Sequence, residues 1–427
     1  MALTAELEEY FDRLWPICRS ITGNGLRESL RIISEIIPIK ITEVKTGTTV
    51  FDWSVPKEWN IRDAYIQAPD GRRICEFSRN NLHIVNYSVP VNKELSYEEL
   101  QPHLHYIESM PDAIPYVTSY YRENWGFCLS YKEFLSLPKT GAYRVVIEST
   151  ISDGSLSYGD VVLKGETDEE VLFSTYVCHP SMANNELSGP LVQAFLYRKI
   201  AAMPRRRYTY RFVFAPETIG VICYLAEHGE RMKKKLKAGY VITCCGDSGN
   251  FVYKRSRRGD TLADRVAAHV LRYQDEPHEV IPFSVGGSDE RQYCSPGFDL
   301  PVGSLTRSMY QRYKEYHTSL DDKSFISFAA MEKTIDTYFS FARLIEINAS
   351  YRSALPYGEP QLGKRGLYPS SVNPQDNRRA LHNRMHVLAY ADGGHDVLEM
   401  AELRGVPAFE LEPEIAVLRE AGLLVTV

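Results

Sequence analysis

The sequence predicts an α/β protein: a mostly parallel mixed sheet flanked by helices, with an inserted small β domain and a C-terminal winged-helix-like domain. Three observations lead there. Strand-like and helix-like segments alternate from about residue 140 to 345. Before that, short strand-like runs are cut by Pro and Gly every ~8–12 residues, the texture of a β-rich module. From 376 to 427 the chain reads as three short helices ending in Leu423 and Leu424. The expected boundaries are 1–39 with 136–350 for the α/β domain, 40–135 for the insert and 351–427 for the C-terminal domain.

The elements follow in order. Leu7, Tyr10, Phe11 and Leu14 share a helical face, and a Gly-Asn-Gly turn at 23–25 opens a second helix through Leu30, Ile33 and Ile36. ITEVKTGTTVFDW and RRICEF are strand-like and open the insert, which ends near the aromatic stretch YVTSYYRENWGFCLS. Tyr121, Trp125 and Phe127 in that stretch read as packing residues; Arg122 or Trp125 overhanging a site is the other reading. YRVVIEST, GDVVLKG and EEVLFSTYV read as strands of the α/β sheet. SGPLVQAFLYRKIAAM is a helix, YTYRFVFAP a strand, ICYLAEHGERMKKKLK a helix and AGYVITCCG a strand. Helices TLADRVAAHVLRYQ and AAMEKTIDTYFSFARLIEI close the domain. Residues 351–365 read as a linker. Alternation of this kind implies a parallel sheet covered on both faces, with its chemistry at the carboxyl ends of the strands.

Composition narrows the function. With 427 residues, 44% hydrophobic and 24% charged, the chain has the material for a sizeable core, which excludes wholesale disorder. A net charge of −6 excludes a whole-protein basic footprint for nucleic acid. From 371 to 427, five Lys and Arg face nine Asp and Glu, a balance of −4 that suits docking or dimerisation better than DNA reading. No apolar run approaches the ~18 residues that span a bilayer, and the acidic start MALTAELEEYFDRLW lacks a secretion signal. Eight cysteines are too dilute for a disulfide scaffold. The expectation is a cytoplasmic protein with no membrane or nucleic-acid partner.

Four segment ends carry polar residues suited to metal hydrolysis. VLFSTYVCHPSMANNELSG delivers His179 past an apolar strand, with Asn185 and Glu186 before a helix start. YRFVFAPETIG ends in Glu217, a carboxylate that is costly at a buried strand end unless paired or used. GYVITCCGDSG supplies Asp247 and EYHTSLDD supplies His317. Imidazole and carboxylate together suit a borderline cation such as zinc, with a spare Glu to accept a proton.

These motifs, with CHPSMANNELSG, PETIG, CCGDSG, YKRSR, SDERQYCSPGF and EYHTSLD, resemble the zinc aminopeptidase superfamily (the clan that includes bacterial leucyl aminopeptidases, carboxypeptidase-like enzymes and glutaminyl cyclases) over roughly 140–345. The whole chain is similar to a bacterial aminopeptidase-like family with an inserted β domain and an appended winged-helix-like module, often met in polysaccharide or natural-product biosynthesis clusters. The resemblance implies that His179, Asp247 and His317 bind metal and that Glu217 is the general base. It departs from the family at two positions. Asn185 stands where the bridging Asp belongs, and Thr218 where a ligating Glu belongs. One zinc is therefore expected rather than two, with Glu186 as a substitute ligand if the loop register slips by one residue.

Substrate-binding candidates are Arg291, through its bidentate fork, Glu290 beside it, and Tyr316. An ion pair between Arg291 and Asp289 or Glu290 is the other reading. The run Lys254 to Arg258 reads as a solvated face, or as an attraction for an acidic substrate. The expected function is zinc-dependent hydrolysis of an amide or peptide bond in a small-molecule or short-peptide substrate, possession of a biosynthetic role being suggested by the family. An amidase, deacylase or cyclase on the same site, or a non-catalytic ligand-binding scaffold, are the alternatives. The closed pocket and the C-terminal module both fit a homo-oligomer.

Overall fold

The structure, a computed structural model, describes residues 2–368 and 376–427. They divide into two compact units, 1–263 with 277–336, and 264–276 with 337–427.

In the first unit an eight-stranded mixed sheet forms the centre. Lys40–Lys45 lies at one edge and pairs antiparallel with Ser155–Leu163, which pairs antiparallel with Thr209–Ala215. Thr209–Ala215, Glu170–Tyr176, Leu236–Ile242 and Val302–Thr306 then run parallel to one another. Phe251–Lys254 turns antiparallel and His278–Ile281 closes the far edge. Every residue of Glu170–Tyr176 and of Thr209–Ala215 is buried. That is why both are largely apolar rather than alternating, with Glu170 and Arg211 the charged exceptions that pair with each other. The helix Ser188–Ala201 is apolar nearly all round, because ten of its residues are buried.

A second, four-stranded antiparallel sheet builds the insert, in the order Arg73–Ile74, Glu58–Gln67, Tyr143–Ser152, Val91–Leu95. Its core gathers Ala64, Ile66, Phe127, Tyr143, Val145 and Ile147. Two strands thus fall on the other side of the expected boundary. Tyr143–Ser152, read as part of the α/β sheet, belongs to the insert. Lys40–Lys45, read as the start of the insert, edges the large sheet. The pattern of a strand shows which of its faces is apolar, not which neighbour it pairs with. Trp125 and Phe127 do pack, Trp125 stacking on His103 at 3.5 Å between ring centres.

One charge sits at the heart of this unit. Glu170, wholly buried, receives Arg211 Nε at 3.1 Å, Arg211 Nη2 at 3.0 Å and Arg231 Nε at 2.7 Å. Of the basic run, Arg257 and Arg258 are exposed and face Asp299. Lys254 instead is buried and ion-paired to Glu290, so the solvated-face reading fails there.

In the second unit, helices Asp376–Tyr390, Val397–Arg404 and Glu412–Glu420 stand with a three-stranded antiparallel sheet. Its central strand, Ser350–Ser353, occupies the start of the expected linker. The combination is a winged helix. The helix Glu412–Glu420 carries Glu412, Glu414 and Glu420 against a single Arg419, and Arg379 and Arg384 are spent on ion pairs to Glu410 and Glu414.

Removing one member of a buried ion pair leaves the other charge desolvated and costs about 3–5 kcal/mol. Arg211→Met should therefore destabilise the first unit by about 3 kcal/mol, since Arg231 remains beside Glu170. All four tryptophans (Trp15, Trp53, Trp59 and Trp125) lie in that unit, so denaturant unfolding followed by tryptophan fluorescence reports it directly. A loss under about 1 kcal/mol would mean that the pair does not hold the strands together.

Candidate functional site

The chain leaves strand Glu170–Tyr176, crosses to Thr209–Ala215 on one side, and then to Leu236–Ile242 on the other. This reversal opens a crevice at the carboxyl ends of the strands. His179 stands three residues beyond the first strand and Glu217 two beyond the second. The backbone here is strained. Ser181 (φ 48°), Thr218 (φ 64°), Cys244 (φ 46°) and His317 (φ 56°) are all left-handed without being glycine. Each such residue costs about 1–3 kcal/mol, and such strain gathers at functional sites.

Ala183–Leu187 forms a π-helical turn before the helix Ser188–Ala201. Asp321 pins that turn, accepting Asn184 N–H at 2.6 Å on one oxygen and Asn185 N–H at 2.9 Å on the other. The wide turn swings Glu186 back under the preceding strand end. One oxygen of Glu186 accepts the Cys178 N–H and the other meets His179 Nδ1 at 2.8 Å. One proton lies between Glu186 and Nδ1. Nε2 faces Glu217, whose Oε2 is 3.6 Å away; a cation on Nε2 would leave that proton on Nδ1 and Glu186 ionised. Arg19, fully buried, supports the loop from below by donating to the His179 carbonyl at 3.0 Å and the Leu14 carbonyl at 2.7 Å.

The His317 ring centre lies 5.4 Å from that of His179. Tyr116, from the insert, sits against both at 5.1 and 5.3 Å, and its N–H holds the His317 carbonyl at 2.8 Å. Nothing in YVTSYYREN singled out Tyr116, because its role depends on where the insert folds. Burial pushes both imidazoles down to about 3, so both are neutral near pH 7. Burial also raises the Glu217 carboxyl above the usual carboxylate range, with Arg291 opposing and Glu186 and Glu290 reinforcing the shift.

His179, Glu217, Thr218 and Arg291 line a pocket of about 290 Å³, walled by Trp53, Tyr120 and Tyr121. Arg291 Nη2 donates to Thr218 Oγ1 at 3.0 Å. A larger cleft of about 450 Å³, between Pro16 and Asn81, has Glu28 as its one ionisable carboxylate and no imidazole.

The other predicted residues have neighbours of their own. Both Asp247 oxygens are occupied, by Gly249 N–H (2.6 Å) and Ser308 Oγ (2.7 Å) on one side and Asn184 Nδ2 (2.8 Å) and Ser308 N–H (3.0 Å) on the other. Glu290 is fully buried against Lys254 and does not line the pocket, so it is poorly placed to touch a substrate. Tyr316 stacks on the His317 ring at 3.9 Å. Asn185 turns its amide to Tyr176 OH at 3.0 Å, leaving its Oδ1 without a partner.

The spacing of the two imidazoles fits a single tetrahedral ion. Two imidazoles on a tetrahedral zinc, with Zn–N about 2.0–2.1 Å, keep their ring centres roughly 5 Å apart. That matches the His179–His317 spacing. At the positions expected to carry further acids, Asn185 is an amide and Thr218 a hydroxyl, and Glu186 is committed to Nδ1 and Cys178. Cys178 Sγ, His179 Nδ1 and the Glu186 carboxylate also lie within 4.8 Å of one another, though each already has a hydrogen-bond partner.

Comparison with known proteins places this geometry. Residues 8–348 match the family model described as a domain of unknown function, DUF4910, and residues 349–426 match a winged helix-turn-helix model. The chain belongs to the DUF4910 family. A Clostridium acetobutylicum protein named for polysaccharide biosynthesis and an aminopeptidase-like domain is 44% identical over 401 residues, 94% of this chain and 92% of its own. A crystal structure from Clostridium acetobutylicum, assigned as a peptidase, is 43% identical with a TM-score of 0.93 and covers 99% of this chain and 96% of that one. The zinc aminopeptidase BSAP of Bacillus subtilis shares the fold at 10% identity, with a TM-score of 0.58 over 80% of this chain and 94% of its own. This DUF4910 chain therefore joins an aminopeptidase-like α/β fold to a winged helix.

The buried carboxylates make stability depend on pH. Burial pushes Glu186 up to about 8 and Asp321 up to about 7. Above pH 6.5 the two imidazoles are mostly neutral whether folded or unfolded. The folded chain then keeps carboxyl protons that the unfolded chain has already lost, so stability falls as pH rises. The metal-free protein should melt at progressively lower temperature from pH 6.5 to 8, and Glu186→Gln should flatten that slope in calorimetry. Identical slopes in the two proteins would contradict this environment for Glu186.

Proposed function

We propose that this protein is a single-zinc hydrolase that cleaves an amide bond of a small biosynthetic substrate in the cytoplasm. The observation that carries the reading is the placing of Glu217 Oε2 3.6 Å from His179 Nε2 at the floor of a pocket, with Nδ1 of the same ring held by Glu186. The aminopeptidase-like fold supports hydrolysis of peptide-type bonds. The name of the Clostridium relative supports a biosynthetic setting.

His179 and His317 are the residues that would hold the ion. Asp247 would join them only by giving up hydrogen bonds to Asn184 and Ser308. A bound zinc would polarise the substrate carbonyl and acidify the attacking water.

The remaining steps belong to the chain. Glu217, its carboxylate raised toward neutrality, takes a proton from the water and hands it to the leaving amine. Glu186 fixes the His179 ring and its tautomer. Arg291 holds an anionic group of the substrate through its guanidinium fork. Trp53, Tyr120 and Tyr121 form the apolar wall that keeps bulk water from the reacting carbonyl. A pocket of about 290 Å³ is at the small end for ligand sites, so a single aminoacyl or acyl unit fits better than an extended peptide. All eight cysteines are free, which supports a reducing compartment. No helix among the described residues is long and apolar enough to cross a membrane.

Three measurements test the reading. Glu217→Gln should retain zinc by elemental mass spectrometry while kcat on an amide substrate falls about 10²–10⁴-fold. His179→Ala should lose both metal and activity; a wild-type protein that binds no zinc when it is offered would leave the ligand-binding scaffold as the better account. The wild-type rate should climb with pH through the raised Glu217 carboxyl, well above the normal carboxylate range. A profile already flat from pH 5 upward would exclude Glu217 as the base.

A further inference from the structure

A second group of metal-type ligands stands in the insert, and neither the fold nor the site above uses it. Cys75 follows the short strand Arg73–Ile74, His83 ends the 3-10 turn Asn81–His83, and Glu133 lies on the helix Tyr131–Leu135. One ligand atom from each of these residues lies within 4.8 Å of the other two. Cys75 and His83 are buried, and Glu133 is half-buried.

Three features distinguish this trio from a chance gathering. His83 Nδ1 lies 2.9 Å from the Cys128 carbonyl. A carbonyl can only accept, so Nδ1 carries the proton and Nε2 keeps a free lone pair, the arrangement found behind most ligating histidines. Second, the Cys75 thiol, His83 Nε2 and the Glu133 carboxylate have no hydrogen-bond or ion-pair partner among the described residues. The thiol is buried without one, and the half-buried Glu133 carboxylate is free to turn toward it. Third, Cys75 is held at φ 50°, a left-handed conformation with no glycine to excuse it.

We propose that Cys75, His83 and Glu133 form a zinc-class divalent cation site that staples the insert, with a fourth position left to water. Sulfur, nitrogen and oxygen donors in one set suit a borderline cation better than calcium or magnesium. Ligand atoms on one tetrahedral zinc lie roughly 3–4 Å apart, so a contraction of about 1 Å closes the trio. The half-buried Glu133 has the room to make it. Binding releases the Cys75 thiol proton to solvent and ties a strand end and the turn that follows it to a helix much later in the chain. The inference does not depend on the hydrolase reading, since it involves none of that site's residues.

The test uses the full-length chain stripped with a chelator and loaded with cobalt(II) as the probe. Metal per chain is measured by elemental mass spectrometry and thiolate ligation by the near-ultraviolet sulfur-to-cobalt charge-transfer band. In a His179→Ala background, one cobalt per chain should remain together with the band. Cys75→Ser should abolish the band, His83→Ala should remove the ion, and Glu133→Gln should weaken cobalt binding at least about tenfold. Cys178→Ser should leave the band intact. Glu133→Gln is the substitution least able to disturb folding, and tryptophan fluorescence checks each variant. A band that survives Cys75→Ser, or that vanishes with Cys178→Ser, overturns the proposal, as does unchanged cobalt affinity in a folded Glu133→Gln protein.

Discussion

Most of the candidate site depends on one buried contact, the Glu186 carboxylate against His179 Nδ1. A carboxylate with no exposed surface survives only if both oxygens are satisfied and a positive charge is near. The chain meets each demand with a separate device. The Cys178 N–H takes one oxygen and the imidazole the other. Arg19 brings a cation beneath the loop. A π-helical turn supplies the extra residue that lets the side chain reach back, and Asp321 fixes that turn through two backbone N–H groups. The direction in which His179 Nε2 faces is therefore decided largely by Glu186, Arg19 and Asp321, none of which lines the pocket.

Asn185 and Thr218 are likewise held by neighbours. With Glu186 engaged behind the imidazole, Glu217 is the carboxylate that faces Nε2. Asn185 turns to Tyr176, and Thr218 is occupied in capping a strained strand end, its N–H bound to Asp289 at 2.7 Å and its hydroxyl to Arg291 at 3.0 Å.

How far the sequence discloses this arrangement depends on the kind of information each residue needs. His179 and Glu217 are legible because an apolar run followed by a polar residue marks a strand end, and strand ends in such sheets converge. Arg291 and His317 are legible as members of motifs, and the structure brings both to the crevice. Glu290 and Asp247 look as suitable as their neighbours, yet Lys254 claims one and Asn184 with Ser308 claims the other. Those claims come from partners tens of residues away, which spacing cannot reveal. A one-residue slip of register makes Glu186 a ligand candidate in the sequence. The π-turn is such a slip, but it delivers the carboxylate behind the ring. Tyr116 was invisible for the same reason that Tyr143–Ser152 was assigned to the wrong sheet: local pattern says strand or loop, and only packing says against what.

The backbone bond from Tyr116 N–H to the His317 carbonyl has a wider consequence. His317 holds a left-handed conformation that the chain around it does not favour, and the insert is what braces it. Ile114 N–H on Ser319 Oγ at 3.0 Å and Asn81 on Ser181 Oγ at 3.1 Å repeat the arrangement at neighbouring points of the crevice. The insert is thus no detachable cassette. Exchanging it for a foreign domain to alter specificity would also unseat an imidazole of the candidate site, so the two parts must change in step, as a single unit of inheritance.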